Sequence, residues 1–277
     1  MLLPIAGCFA HKEVPFIQIM DNAMNLFNKK VVGAALALLL SGTAQADIVW
    51  SGTGNFGTAM PNGDIGASPE GGEFGYVSTH LGVEQTGLDL GEETDGSTIV
   101  SSAFTVEAGD ELSFFFNYIT SDGDEYSDYA WAQLLDDTGE LVATLFTARS
   151  TPDGNTVPGF GMPDPTATLI PSEVNIIDGA TSFSELGADS GNCFDTGCGN
   201  TGWIESLFTL DEAGSYMLSL GVTNWSDSQY DSALFFDNIE INNEDITPPP
   251  PSASVPAPAS ALLLLSGLFA FALNRRR

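Results

Sequence analysis

Lysine is absent between residues 47 and 254, and Arg149 is the only arginine there. The other basic residues sit at the two ends of the chain, whereas every acidic residue except Glu13 and Asp21 falls inside that stretch. The formal net charge of −30 is therefore concentrated on it. Affinity for a phosphate backbone is built on clustered Lys and Arg, so nucleic-acid binding is excluded, and anionic lipid surfaces are excluded for the same reason. No lysine is available as a base or Schiff-base nucleophile. His80 is the only histidine of the stretch, and it has no Ser/His/Asp arrangement, no Gly-x-Ser-x-Gly motif and no phosphate-cradling glycine loop. Such a surface stays soluble through self-repulsion and attracts cations, divalent ones included.

Cysteine is almost as scarce. Cys8 lies near the N-terminus, and the only others are Cys193 and Cys198, separated by Phe194-Asp195-Thr196-Gly197. A close pair in an exported protein predicts a small disulfide loop. A zinc site would need further ligands, and only His80 is on hand.

The two ends of the chain carry targeting patterns. Lys29 and Lys30 precede a ten-residue, mostly aliphatic run, and Ser41-Gly42-Thr43-Ala44-Gln45-Ala46 supplies the small residues that signal peptidase requires. Cleavage is expected between Ala46 and Asp47, with the signal peptide over 24–46 beginning at Met24. Residues 1–23 are then either an overcalled start or a long leader. At the other end a Pro/Ser-rich linker, 247–254, leads into Val255-Pro256-Ala257-Pro258, an apolar segment over 259–273, and Asn274 followed by Arg275, Arg276 and Arg277. As a helix this segment would rise about 22 Å at roughly 1.5 Å per residue, short of the ~30 Å hydrocarbon core. Snorkelling arginines make up the difference and keep the C-terminus on the cytoplasmic side.

This tail, 255–277, resembles the PEP-CTERM sorting signal of Gram-negative bacteria, in which a Pro-Glu-Pro motif precedes a short membrane helix and an Arg-rich end. Ala257 stands at the Glu position and matches the Val-Pro-Ala-Pro variant. The resemblance implies export across the inner membrane and processing by an exosortase-type enzyme. It further implies anchoring by the helix or release to the cell surface, and association with exopolysaccharide in a biofilm matrix.

Between the ends, residues 47–246 read as one all-β domain. Leu112, Phe114, Phe116 and Tyr118 alternate onto one face, as do Tyr216, Leu218, Leu220 and Val222. Further strand candidates fall at 75–80, 97–106, 128–135, 140–147, 203–210 and 233–241, separated by Gly- and Asp-rich turns. No amphipathic helix appears. The pattern predicts a two-sheet β-sandwich of jelly-roll type. Residues 148–200, rich in Pro, Gly, Asp and Ser, break the rhythm and are expected to run as an excursion over one edge or end of the sandwich, pinned by the disulfide.

Two acidic features point to metal. Alternation puts Phe235, Asp237, Ile239 and Ile241 on one face, so a carboxylate sits in an apolar row. A calcium ion would be its natural partner, unless a bulge turns it outward or backbone amides bind it. This closing Phe-Asp-Asn-Ile-x-Ile segment resembles the final strand of carbohydrate-binding-module-like, galactose-binding-like jelly rolls, which implies a structural calcium at Asp237. The second feature is Asp122, Asp124 and Asp128, spaced as positions one, three and seven of an EF-hand loop. Ser127 replaces the required glycine and Gln133 the closing glutamate, leaving an irregular calcium loop or a solvated acidic hairpin. For ligands, Trp225 and Tyr230 share a polar loop, where they either stack on sugar rings or pack on the sandwich edge. The expected role is a non-enzymatic, matrix-associated protein. The alternative is a carboxylate-dependent glycan hydrolase.

Overall fold

In the computed structural model of the chain, residues 48–151 and 154–248 are described. The signal peptide, the cleavage point at Ala46 and Asp47, most of the linker and the sorting tail, with Val255 to Pro258 and Arg275 to Arg277, lie outside them. No helix among the described residues is long and apolar enough to cross a membrane.

The described chain forms strands and two short 3₁₀ turns. The strands are β1 (Trp50–Thr53), β2 (Asn55–Ala59), β3 (Phe74–Ser78), β4 (Val83–Glu84), β5 (Glu93–Ser101), β6 (Phe104–Val106), β7 (Glu111–Thr120) and β8 (Tyr129–Asp136). There follow β9 (Leu141–Arg149), β10 (Thr168–Ile170), β11 (Ile177–Asp178), β12 (Gly199–Asn200), β13 (Ile204–Thr209), β14 (Gly214–Trp225), β15 (Ser232–Ile241) and β16 (Glu244–Asp245). They build two antiparallel sheets. A seven-stranded sheet runs β1-β5-β14-β8-β9 with β4 and β6 at its margins. A nine-stranded sheet runs β10-β13-β7-β15-β3-β2 with β11, β12 and β16 added. The expected all-β, two-sheet sandwich is the fold observed.

The sheets close on a core to which both contribute alternating residues. From β7 come Leu112, Phe114, Phe116 and Tyr118, all but excluded from solvent, and from β14 come Leu218, Leu220 and Val222. Across the gap Phe116 stacks on Phe146 of β9, ring centroids 3.8 Å apart. Each such side chain contributes roughly 1.5–3 kcal/mol of transfer free energy, so this seam is the main source of stability.

Alternation fails in β15. The register against β7 shifts between Asp237 and Glu240, and Asn238 has φ 51°. Asn tolerates this left-handed conformation better than most residues, and the extra residue is a β-bulge. Its effect is to swap faces: Phe236, Ile239 and Ile241 enter the core, whereas Phe235 joins a second cluster with Phe74 and Ile119. The expected row of Phe235, Asp237, Ile239 and Ile241 is thus corrected, because the bulge separates the two isoleucines from Phe235.

The 148–200 excursion is not confined to one edge or end as expected: it adds β10, β11 and β12 to the nine-stranded sheet and covers both outer faces with apolar side chains. Phe183 and Leu186 roof the nine-stranded sheet, with Phe183 4.4 Å from Phe235. Met162 lies with Tyr129 and Trp131 in a third cluster, which Trp225 flanks. The rhythm did not mark β1 and β2, whose glycines and hydroxyl residues carry little apolar signal.

Candidate functional site

At one end of the sandwich the inward faces change from apolar to polar. Asp128 precedes Ala130 by two positions and so points into the same interior, at 0% exposure. Its Oδ1 accepts the Trp225 backbone N–H at 2.9 Å and its Oδ2 the Ser232 hydroxyl at 2.6 Å. Asp122, 1% exposed, follows β7 and accepts the Gly123 N–H at 2.7 Å. Burial pushes the Asp128 carboxyl well above its ordinary range, and the nearby Asp122 adds to the shift. Asp122 is pushed up to about 7, first by burial and then by Asp227 and Asp189, against the Gly123 hydrogen bond. Two carboxylates thus share a desolvated end of the core, where ionised groups are costly unless paired.

Asp124, expected with these two, goes elsewhere. It sits in the short 3₁₀ turn Asp124–Tyr126, its backbone N–H donates to Thr196 O at 2.9 Å, and its carboxylate accepts the Thr196 hydroxyl at 3.2 Å. Thr196 belongs to the loop closed by the Cys193–Cys198 disulfide, whose Cα atoms are 5.7 Å apart. Gly197 is required there. Its φ is +94°, and a Cβ would meet that of Asp124 at 2.9 Å.

This docking holds Phe194 between two tyrosines, with its centroid 5.6 Å from Tyr126 and 5.1 Å from Tyr230. Phe194 remains 43% exposed. Trp225 and Tyr230, read together in the sequence, belong to different clusters. Trp225 packs toward Tyr129, and one face of its ring is covered by the Arg149 guanidinium at 4.2 Å. Tyr230 is the one that joins Phe194 and Tyr126, in a row where Phe194 is exposed and both tyrosines are half-buried. Phe194 and Tyr126 escaped sequence reasoning because the contacts that unite them with Tyr230 are long-range. The disulfide pairing flanking Phe194 was the only signal.

Beside Trp225 a polar cleft of about 420 Å³ is lined by Gln85, Gly87, Asp89, Gly91 and Glu93. Burial acts to raise the Glu93 carboxyl, but hydrogen bonds from Tyr129, Gly91 and Leu90 outweigh it and hold the group below its ordinary value. On the nine-stranded side His80 Nδ1 lies 3.0 Å from Asp231 Oδ2, and Thr79 donates to the other oxygen at 3.0 Å. Asp237 is 8% exposed, and its carboxylate accepts a hydrogen bond from the Ser68 hydroxyl. Among the described residues no three His, Cys, Asp or Glu side chains gather in a group able to hold a metal ion. Any metal site there must use neutral oxygens as well.

No family model and no curated protein matches the chain. Among solved structures it is similar to the K1 cleaved adhesin domain of Lys-gingipain from Porphyromonas gingivalis W83, at 10% identity and TM-score 0.33, over 72% of this chain and 92% of that one. It is also similar to the enzymatically active domain of tailspike protein 4 of bacteriophage CBA120, at 12% identity and TM-score 0.29, covering 69% of this chain and 19% of that one. An exo-beta-agarase shows 14% identity and TM-score 0.27, over 74% of this chain and 24% of the enzyme. These likenesses are too distant to bear on function.

Proposed function

We propose that the chain is an exported, non-enzymatic glycan-binding protein with a jelly-roll-like domain. Its PEP-CTERM tail is sorted by an exosortase-type enzyme, and at the cell surface it associates with exopolysaccharide. The observation that carries the reading is Phe194, exposed between Tyr126 and Tyr230 at the loop end of the sandwich. Aromatic rings present flat apolar faces that match the C–H faces of sugar rings, and binding sites combine such faces with a few placed polar groups. The charge narrows the ligand. A surface with one arginine and dozens of carboxylates repels polyanions, so the expected ligand is a neutral polysaccharide.

The test is affinity electrophoresis of the full chain, purified in mild detergent, through gels containing neutral or uronate-rich polysaccharide. Retardation by the neutral polymer, lost in Phe194→Ala, is the expected result. Equal mobility of wild type and variant in every gel would remove the basis of the reading. Release of reducing ends by the purified chain would replace it with the hydrolase alternative.

A further inference from the structure

Among the described residues three buried side-chain oxygens lack a hydrogen-bond partner: Asp122 Oδ2, Ser150 Oγ and Asn224 Oδ1. All three lie at the same end of the core as Asp128. Asn224 shares the inward face of Val222 in β14, and the next residue, Trp225, donates its N–H to Asp128 Oδ1. The Asn224 amide nitrogen reaches Asp95 Oδ1 at 3.4 Å, which leaves its oxygen free of a donor. Ser150 shares the inward face of Ala148, since Ala148 pairs with Ala130, and it sits beside the Tyr118 hydroxyl, which donates to Asp128 O at 2.8 Å. Asn224 and Ser150 are each 1% exposed.

We propose that a divalent cation of calcium's size binds here, held by Asp122 and Asp128 with Asn224 Oδ1 and Ser150 Oγ as neutral ligands. The chemistry of the leftover atoms argues for a cation. The three are oxygens, and Asn224 Oδ1 and an ionised Asp122 Oδ2 only accept, so those two cannot satisfy one another. Arg149, the nearby base, lies on the outer face, donating to Ser127 O at 3.0 Å and covering the Trp225 ring. Calcium takes six to eight oxygens in flexible geometry and accepts carboxylate, amide and hydroxyl together, whereas magnesium demands a tighter octahedron. Two carboxylates neutralise its charge without a third, in keeping with the absence of any three-acid group among the described residues. The site is separate from Asp237, whose carboxylate is engaged by Ser68.

The experiment uses the full chain in mild detergent, stripped with chelator. Calcium is followed by titration calorimetry and terbium by luminescence sensitised through Tyr118, with magnesium at matched ionic strength as the control. One saturable calcium site is expected, preferred over magnesium, with terbium emission displaced by calcium. Asp122→Asn should weaken calcium binding by at least about tenfold, since even losing an outer partner of a metal ligand costs that much. Asp237→Asn should bind as wild type. If Asp122→Asn does not fold, Ser150→Ala keeps both carboxylates, and its calcium affinity should fall severalfold. The proposal is overturned by the absence of saturable calcium binding, by equal responses to calcium and magnesium, or by unchanged affinity in a folded Asp122→Asn or Ser150→Ala. Loss of binding in Asp237→Asn alone would equally overturn it.

Discussion

The middle of the sandwich and its polar end are built by the same strands with opposite chemistry. β7, β8 and β14 send Phe116, Ala132 and Leu220 into the core, and at their ends the same inward face carries Thr120, Asp128 and Asn224. In the middle, shape and area suffice, because apolar atoms need only neighbours. At the end every oxygen needs a donor or an ion, and among the described residues Asp122 Oδ2, Ser150 Oγ and Asn224 Oδ1 have no hydrogen-bond donor. Alternation decides which way a side chain points; the residue type then decides whether that position stabilises the fold or calls for a ligand.

The sharpest way to break this contrast is to hollow the apolar side. Phe116→Ala removes the ring stacked on Phe146 and should cost about 3–5 kcal/mol in chemical denaturation. A cost under about 1 kcal/mol would mean that the seam is not the main source of stability. Next in size is the pin on the polar end. Replacing Cys193 and Cys198 together by Ser frees a loop of sequence separation 5, worth about 2 kcal/mol on loop-closure grounds. Calorimetric melting reads that loss, and unchanged melting would show that the loops around Asp124 hold without it.

The smallest effect concerns Glu93, a partly exposed carboxylate with three donors. Its value is held down in the folded state, so its contribution is present above the unfolded pKa and lost as pH falls through the folded one. Glu93→Gln should therefore cost less than about 1 kcal/mol at neutral pH, given solvent screening, and the gap to wild type should close in acid. A gap that persists at low pH would assign it to packing against Tyr129 instead.

Much of the sandwich was legible in the sequence. The rows on β7 and β14 are long, unbroken and apolar, and both face the core as read. The row on β15 misled because a single residue, Asn238, adopts a positive φ that no periodicity announces. Asp122 and Asp128 stood out as acids, yet their spacing suggested a local loop, and Asn224 and Ser150, which share the inward face with Asp128, come from β14 and from the residue just after β9. A signal was present: Asn224 stands two residues beyond Val222, and Asp128 two before Ala130, so extending each alternation by one step places both inside. Nothing local linked Phe194 to Tyr126 and Tyr230.

The isolation of Arg149 has a practical consequence. Trypsin cuts only after lysine or arginine, and between residues 47 and 254 it has this one target. The Arg149–Ser150 bond closes β9, the Arg149 N–H is bonded to Thr156 O at 2.9 Å, and Ser150 is buried. Cleavage there requires the strand end to open, so the rate of a single cut becomes a direct measure of local unfolding beside the polar end. A protein of this composition would pass nearly unmarked through surroundings rich in trypsin-like proteases, and one nick would report when its structure had given way.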